Sequence, residues 1–239
     1  MAKVVTDNQN YIDIANAIRE KTQDDISYTP AEMPSGIAEV YEAGKRAIVD
    51  SIDGLYRFFT NGQNMELLPY VLERDWQGAN INMQYTFQEN KIITQFVFPE
   101  TIRVSLPHGM FLGCKNLKNV SGLDRVYTGK ILTQLFNECS SLENCGTLNF
   151  EGVTYASNTF SGCTALIEIR ISGTIGLSVD FSSCGNLSRA SVESIITHLS
   201  KTKTGLTLKI NNNAVTSNFT EDEWDALIAP YTNWTISRI

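Results

Sequence analysis

In the middle of the chain an aromatic residue, a small residue and a leucine follow one another at intervals of three, and the triplet returns with a period near 24. Four complete copies are headed by Phe111, Phe136, Phe160 and Phe181, at spacings of 25, 24 and 21. Their second positions are Cys114, Cys139, Cys163 and Cys184; their third are Leu117, Leu142, Leu166 and Leu187. Three residues further on stands another apolar position, Val120, Cys145, Ile169 and Ala190. The frame F-x-x-C-x-x-L-x-x-Φ also picks out an eroded copy 24 residues before Phe111, through Phe87, Asn90, Ile93 and Phe96. A period of this length predicts five stacked rungs, each burying an apolar side against its neighbours that it could not bury alone. Between the frames the alternation is short. In "LIEIRISG" (166–173) Ile167, Ile169 and Ile171 alternate with Glu168 and Arg170, and "GTLNF" (146–150) is a shorter case. Each repeat therefore predicts one short strand and a tight return through Gly and Ser. Stacked, they make a narrow sheet whose exposed row, the candidate ligand-binding surface, includes Lys118, Asn119, Glu143, Asn144 and Glu168.

The ends follow other periods. "SVESIITHLS" predicts a helix with Ser191 as N-cap, "GLTLKIN" a strand, "TEDEWDALIA" a helix whose Thr220 and Glu223 have capping-box spacing, and "NWTISRI" a closing strand. Trp224, Leu227 and Trp234 can cover the last rung, as the free end of a stack requires. "NNN" at 211–213 reads as a turn. At the other end "NYIDIANAIREK" puts Ile12, Ala15 and Ile18 on one helical face, and Thr29, Pro30 and Glu32 form a helix start. A second helix is expected from about Pro34 to Phe59, where Ile37, Tyr41, Gly44, Ile48, Ser51, Leu55 and Phe58 follow alternating steps of four and three. That is the spacing of a coiled-coil seam, and it makes Ile37, Tyr41, Ile48, Leu55 and Phe58 the candidate oligomerisation residues. The same stripe could instead pack on its own chain. The expected fold is mixed α and β: an N-terminal helical, coiled-coil segment (1–59), a connector with little period (60–86), a short β-solenoid (87–190) and an α/β C-terminal cap (191–239).

All five cysteines fall inside the repeat register. A free cysteine behaves as a small hydrophobe and is among the most often buried residues, which suits the tight inner curve of a rung. A zinc site wants close Cys pairs with further Cys or His nearby, whereas the one close pair, Cys139 and Cys145, has no histidine within reach. Disulfides between rungs stay open, since neighbouring strands lie within disulfide range.

Composition removes several functions. The 239 residues are 42% apolar and 19% charged, enough for a sizeable core, and the net charge of −7 builds no basic surface for nucleic acid. No apolar run reaches the length of a signal peptide or a membrane span, so folding in a cytosol, with reduced thiols and no membrane insertion, is expected. His108 lies in a Pro-Gly turn and His198 in an expected helix; neither stands in a catalytic or metal frame, and no phosphate loop is present. The reading is of a non-enzyme with no catalytic residues, metal or cofactor.

The F-x-x-C-x-x-L repeats resemble the BspA-type leucine-rich repeat of bacterial surface adhesins. The segment "IANAIREKTQDDISYTPAEMPSGIAEV" (14–40) is similar to one near the N-terminus of tail and baseplate-associated proteins of bacteriophages and prophages of Gram-positive bacteria, and the end "LTLKINNNAVTSNFTEDEWDALIAPYTNWTIS" is similar to the end of the same proteins. Residues 60–86 match only faintly, around "RDWQGANINMQYTF". The resemblance implies a virion structural protein, a tail fibre, tip or baseplate component made in the host cytoplasm. Its N-terminal helices would attach to other tail proteins, and its repeats would face a glycan or protein of the host surface. Together with the seam it implies a homotrimer. The alternative it leaves is a bacterial surface adhesin of the same repeat type.

Overall fold

The computed structural model describes residues 44–47, 55–127 and 129–239. These fall into two compact units. The smaller pairs a helical stretch at 44–47 with α1, Leu68–Glu73, which opens on a proline in its first turn. Arg46 reaches Glu73 at 3.2 Å, and both Lys45 and Arg46 lie over the Tyr70 ring. The larger unit, the described part of Gly54–Met65 together with Asp75–Ile239, is the repeat stack.

Within it the phenylalanine of each frame is the internal axis. Phe59, Phe87, Phe111, Phe136, Phe160 and Phe181 stack ring on ring, with centroids 5.0, 5.4, 5.6, 6.0 and 4.8 Å apart. All are buried, as are Leu117, Leu142, Leu166 and Leu187. The backbone of each turn is laddered to the next: Phe59 N donates to Thr86 O, Phe87 N to Met110 O, Phe111 N to Leu135 O and Phe136 N to Thr159 O. To turn this tightly each rung before the last has a left-handed residue two before and two after its phenylalanine. In successive rungs these are Arg57 and Asn61, Tyr85 and Glu89, Gly109 and Gly113, Gln134 and Glu138, Asn158 and Gly162.

Beyond the third position of every frame but the last the chain extends into a strand. β2 (Gln95–Val97), β4 (Asn119–Ser121), β5 (Asn144–Asn149) and β6 (Glu168–Ser172) form one parallel sheet in that order. A third side is built from β1 (Asn80–Asn82) paired with β3 (Arg103–Leu106), continued by the parallel bridges Val104 to Tyr127, Ile131 to Tyr155 and Ile175 to Leu199. A short helix, α2 (Leu123–Val126), follows β4. β7 (Val179–Phe181), β8 (Leu206–Ile210) and β9 (Trp234–Arg238) make a second parallel sheet, with α3 (Arg189–Thr197) before β8 and α4 (Asn212–Thr216) and α5 (Glu221–Ile228) between β8 and β9.

Several expectations are corrected. The second helix does not run to Phe59: residues 55–59 form a solenoid turn, in which Leu55 is fully buried and its N–H donates to Asn82 O. Leu55 and Phe58 therefore belong to the stack, Phe58 edge-on to Phe59 at 5.0 Å, and are not seam residues. Ile37, Tyr41 and Ile48 lie outside the described residues. Residues 60–86 are no bare connector, since they carry α1, β1 and the start of the Phe87 rung. The cap does not begin at 191. β7, which leads into the last frame and ends on Phe181, already belongs to the cap sheet, and β8 and β9 continue the parallel stacking. Ala190 is exposed on α3, because after Leu187 the chain turns into a helix where earlier repeats extend. The N-cap of α3 is Ser188, whose side chain accepts from Ser191 N. Asn211 caps a real helix, α4, where a turn was expected. The capping box of α5 is formed as its sequence predicts, with both Thr220 and Glu223 engaged.

Candidate binding surface

The sheet face is built by the repeat itself. Strand register places Gln95 beside Asn119, Asn119 beside Asn144 and Asn144 beside Glu168, so one polar residue per rung lines up across four strands. The preceding position is Lys118 on one rung and Glu143 on the next, which ion-pair at 3.3 Å. The pair is exposed and worth little to stability. All five expected row residues thus come together, and some of their polar groups are spent on the scaffold. Asn144 Oδ1 accepts from Gly146 N at 2.8 Å, and Glu143 O accepts from Ile167 N and Glu168 N. Gly146 supplies the left-handed bend of the bulge that follows, and a Cβ there would stand 3.0 Å from Val120 O. Glu168 is half-buried, and Ile167, expected inside, is 42% exposed. Gln95 and the exposed Arg170 extend the face and were missed. Gln95 sits in the eroded copy, and Arg170, set on the polar side by the alternation, was left out of the expected row.

The sheet ends at β6 by a specific device. Outward-pointing strand groups would otherwise be left unpaired, an edge that invites further strands. Here Ile169 N donates to Ser191 Oγ at 3.0 Å and Ile171 N to Ser194 Oγ at 2.9 Å, while Ser191 Oγ donates to Ile167 O at 2.9 Å. Two serines one turn apart on α3 thus stand in for the next strand.

The cysteines are wired into the backbone. Cys114 Sγ donates to Phe87 O at 2.8 Å, Cys139 to Phe111 O and Cys163 to Phe136 O at 3.0 Å each, and Cys184 to Phe160 O at 3.8 Å. In the eroded copy Asn90 fills the same position, and its Nδ2 donates to Phe59 O at 2.9 Å. Each rung's second position is therefore a donor to the phenylalanine carbonyl of the rung before. Thiol chemistry fits that task, because burial pushes Cys114 and Cys163 up to about 12 and Cys139, Cys145 and Cys184 well above the usual thiol range. All five are free and protonated, and as such are poor ligands and poor nucleophiles. Among the described residues no three His, Cys, Asp or Glu side chains converge as a metal site. His108 Nε2 lies 2.8 Å from the Tyr85 hydroxyl, and His198 Nδ1 donates to Ser194 O at 2.8 Å.

A period near 24, a phenylalanine axis, a small donor at the second position and a parallel strand after the third in every frame but the last define one repeat type. Residues 80–203 match, in six copies, the family described as BspA type Leucine rich repeat region. The chain belongs to the BspA-type leucine-rich repeat family. The match counts one copy more than the five frames, and the Phe59 rung of this BspA-type stack lies upstream of it again. No curated protein and no solved structure matches the chain. Among the described residues no helix is long and apolar enough to cross a membrane.

Proposed function

We propose that this BspA-type repeat protein is a non-enzymatic binding module of the adhesin kind, which meets a glycan or protein of a cell surface through its repeat domain. The supporting observation is the four-stranded parallel face, which presents Gln95, Asn119, Asn144 and Glu168 in register at one residue per rung. Such a face offers many modest polar contacts to an extended or repetitive ligand. The row residues Lys118, Asn119, Glu143, Asn144 and Glu168 are its proposed contacts. The test is binding of purified protein to host cells, with Asn119→Ala, Asn144→Ala and Glu168→Ala combined. A folded triple variant that binds as well as the parent overturns the assignment of this face.

The finer reading is a bacteriophage tail component, a fibre, tip or baseplate protein located in the virion. It draws on the likeness of residues 14–40 and of the C-terminal stretch to tail proteins of Gram-positive phages. Its N-terminal segment would join other tail proteins and form a homotrimer. Electron microscopy of gold-labelled particles tests the location; label found only on the bacterial surface would favour the adhesin. Light scattering tests the trimer on the full chain and on a fragment beginning at residue 54. Leu55, buried in the stack, is unsuitable as a seam probe, so Ile48→Asp alone serves.

A further inference from the structure

At the Phe59 end of the larger unit, the first turns differ from the later ones at one equivalent position. The position two before the phenylalanine is Arg57, then Tyr85, then Gly109, with Gln134 and Asn158 beyond. The ladder fixes their backbones: Arg57 N donates to Gln84 O at 3.2 Å and Tyr85 N to His108 O at 3.0 Å. The Tyr85 ring lies over Gly109, in space that any Cβ there would contest. Its hydroxyl is held by His108 Nε2 at 2.8 Å. The Arg57 guanidinium lies over this fixed ring, 5.4 Å from the Tyr85 centroid, and also over the Tyr56 ring, 5.5 Å from its centroid. Tyr56 is 52% exposed. Arg46, Arg125, Arg189 and Arg238 each pair with a glutamate, whereas Arg57 has no carboxylate within ion-pair distance among the described residues. In a chain of net charge −7, that leaves an exposed guanidinium beside two rings, with no side-chain hydrogen bond of its own among the described residues.

We propose that Arg57, Tyr56 and Tyr85 form a binding site for an acidic saccharide, a sugar ring bearing a carboxylate or a phosphate. The planar guanidinium takes an oxyanion through two parallel N–H bonds, and its stacking on Tyr85 preserves that orientation. The open face of Tyr56 beside it suits the C–H face of a pyranose, whose ring and charged substituent lie a few ångströms apart. A peptide would look for backbone partners, and the N–H groups of Arg57 and Tyr85 are already used in the ladder. The site names a ligand class for the surface-binding function proposed above and rests on that reading; it uses none of the sheet-row residues.

The experiment is titration calorimetry on the full chain with an oligogalacturonate, a glycerol-phosphate polymer, a neutral galactose oligosaccharide and poly-glutamate. Variants are Arg57→Gln, Arg57→Lys and Tyr56→Ala, each checked by its thermal midpoint. The expected result is binding of the carboxylated or the phosphorylated glycan, about tenfold or more tighter than the neutral one. Arg57→Gln should lose about that factor, and Arg57→Lys part of it. Tyr56→Ala, at an exposed position, weakens binding without loss of fold. The proposal is overturned if neither acidic glycan outbinds the neutral one, if Arg57→Gln binds like the parent, or if poly-glutamate binds equally well. Cell binding run alongside separates the two readings. A parent that binds cells while Arg57→Gln does so undiminished removes this site alone. A parent that binds no cell surface removes the surface-binding function itself.

Discussion

Raising the pH from 8 to 10 should destabilise the folded chain through its buried thiols. In the unfolded chain a cysteine ionises near 9.0, while burial holds Cys114 and Cys163 at about 12 in the fold. The folded value is the higher one, so between these two values the unfolded state sheds protons that the folded state keeps. Stability is complete below 9.0 and falls as pH rises toward 12. At pH 10 each of the two thiols favours unfolding by about 1.4 kcal/mol, together about 3 kcal/mol. Cys139, Cys145 and Cys184 act in the same direction. Against a total stability of about 5–15 kcal/mol this is a large fraction. Urea unfolding at pH 8, 9 and 10 under a non-thiol reductant, followed by fluorescence of the buried Trp76, Trp224 and Trp234, measures the loss. The control is Cys114→Ala with Cys163→Ala, which should start less stable at pH 8 yet lose about 3 kcal/mol less by pH 10. Tyr127 and Tyr231, whose hydroxyls burial also pushes up, are present in both proteins, so their contribution cancels. An equal loss in parent and variant would refute the reasoning and mean that these thiols are ionised, or hydrated, in the fold.

Phe136 lies between rings at 5.6 and 6.0 Å, so Phe136→Ala should cost about 3–5 kcal/mol in chemical denaturation. Phe136→Leu keeps most of the apolar volume but forfeits two ring contacts, about 1–3 kcal/mol; equal costs would deny the stack any role beyond volume. Ser191→Ala leaves Ile169 N without its acceptor and should cost about 1–3 kcal/mol. Combined with Ser194→Ala it should also make the protein self-associate, and a double variant that stays as monodisperse as the parent in light scattering would show that the edge is guarded otherwise. Gln134 holds a left-handed turn at φ 56°, so Gln134→Gly should be neutral or stabilising by up to about 1 kcal/mol; a clear drop in thermal midpoint would count against the turn geometry.

The repeat was legible because phenylalanine, second position and leucine all point inward, and inward positions tolerate few residue types. The Phe59 rung escaped because Gly62 and Met65 replace cysteine and leucine, and because 28 residues separate it from Phe87. It was also disguised. Leu55 and Phe59 stand four apart, as do Met83 and Phe87 or Leu132 and Phe136, all buried by one turn of the solenoid. A step of four is also a helical step, so the turn prolonged an apparent seam. The strand row was readable from alternation, whereas the serine closure of β6 was not. Ser191 and Ser194 look like ordinary helix residues until the register shows two strand N–H groups opposite them. The Arg57 cluster likewise exists only across rungs, since Arg57, Tyr85 and His108 are more than twenty residues apart in sequence.

The bond from each second-position donor to the phenylalanine carbonyl behind it refers only to the neighbouring rung. A gene segment encoding one whole unit, copied between Phe136 and Phe160, would meet on both sides the carbonyl and the thiol it needs. The same insertion after Ile167 would not, because α3 is fitted by its serines to one strand, β6, and Ser188 N is already bound to Ile167 O. The stack can therefore lengthen or shorten only from within, by whole units, while its terminus stays fixed. Reach, the distance between whatever is held at one end and whatever is touched at the other, becomes a quantity that this lineage can adjust without redesigning either end.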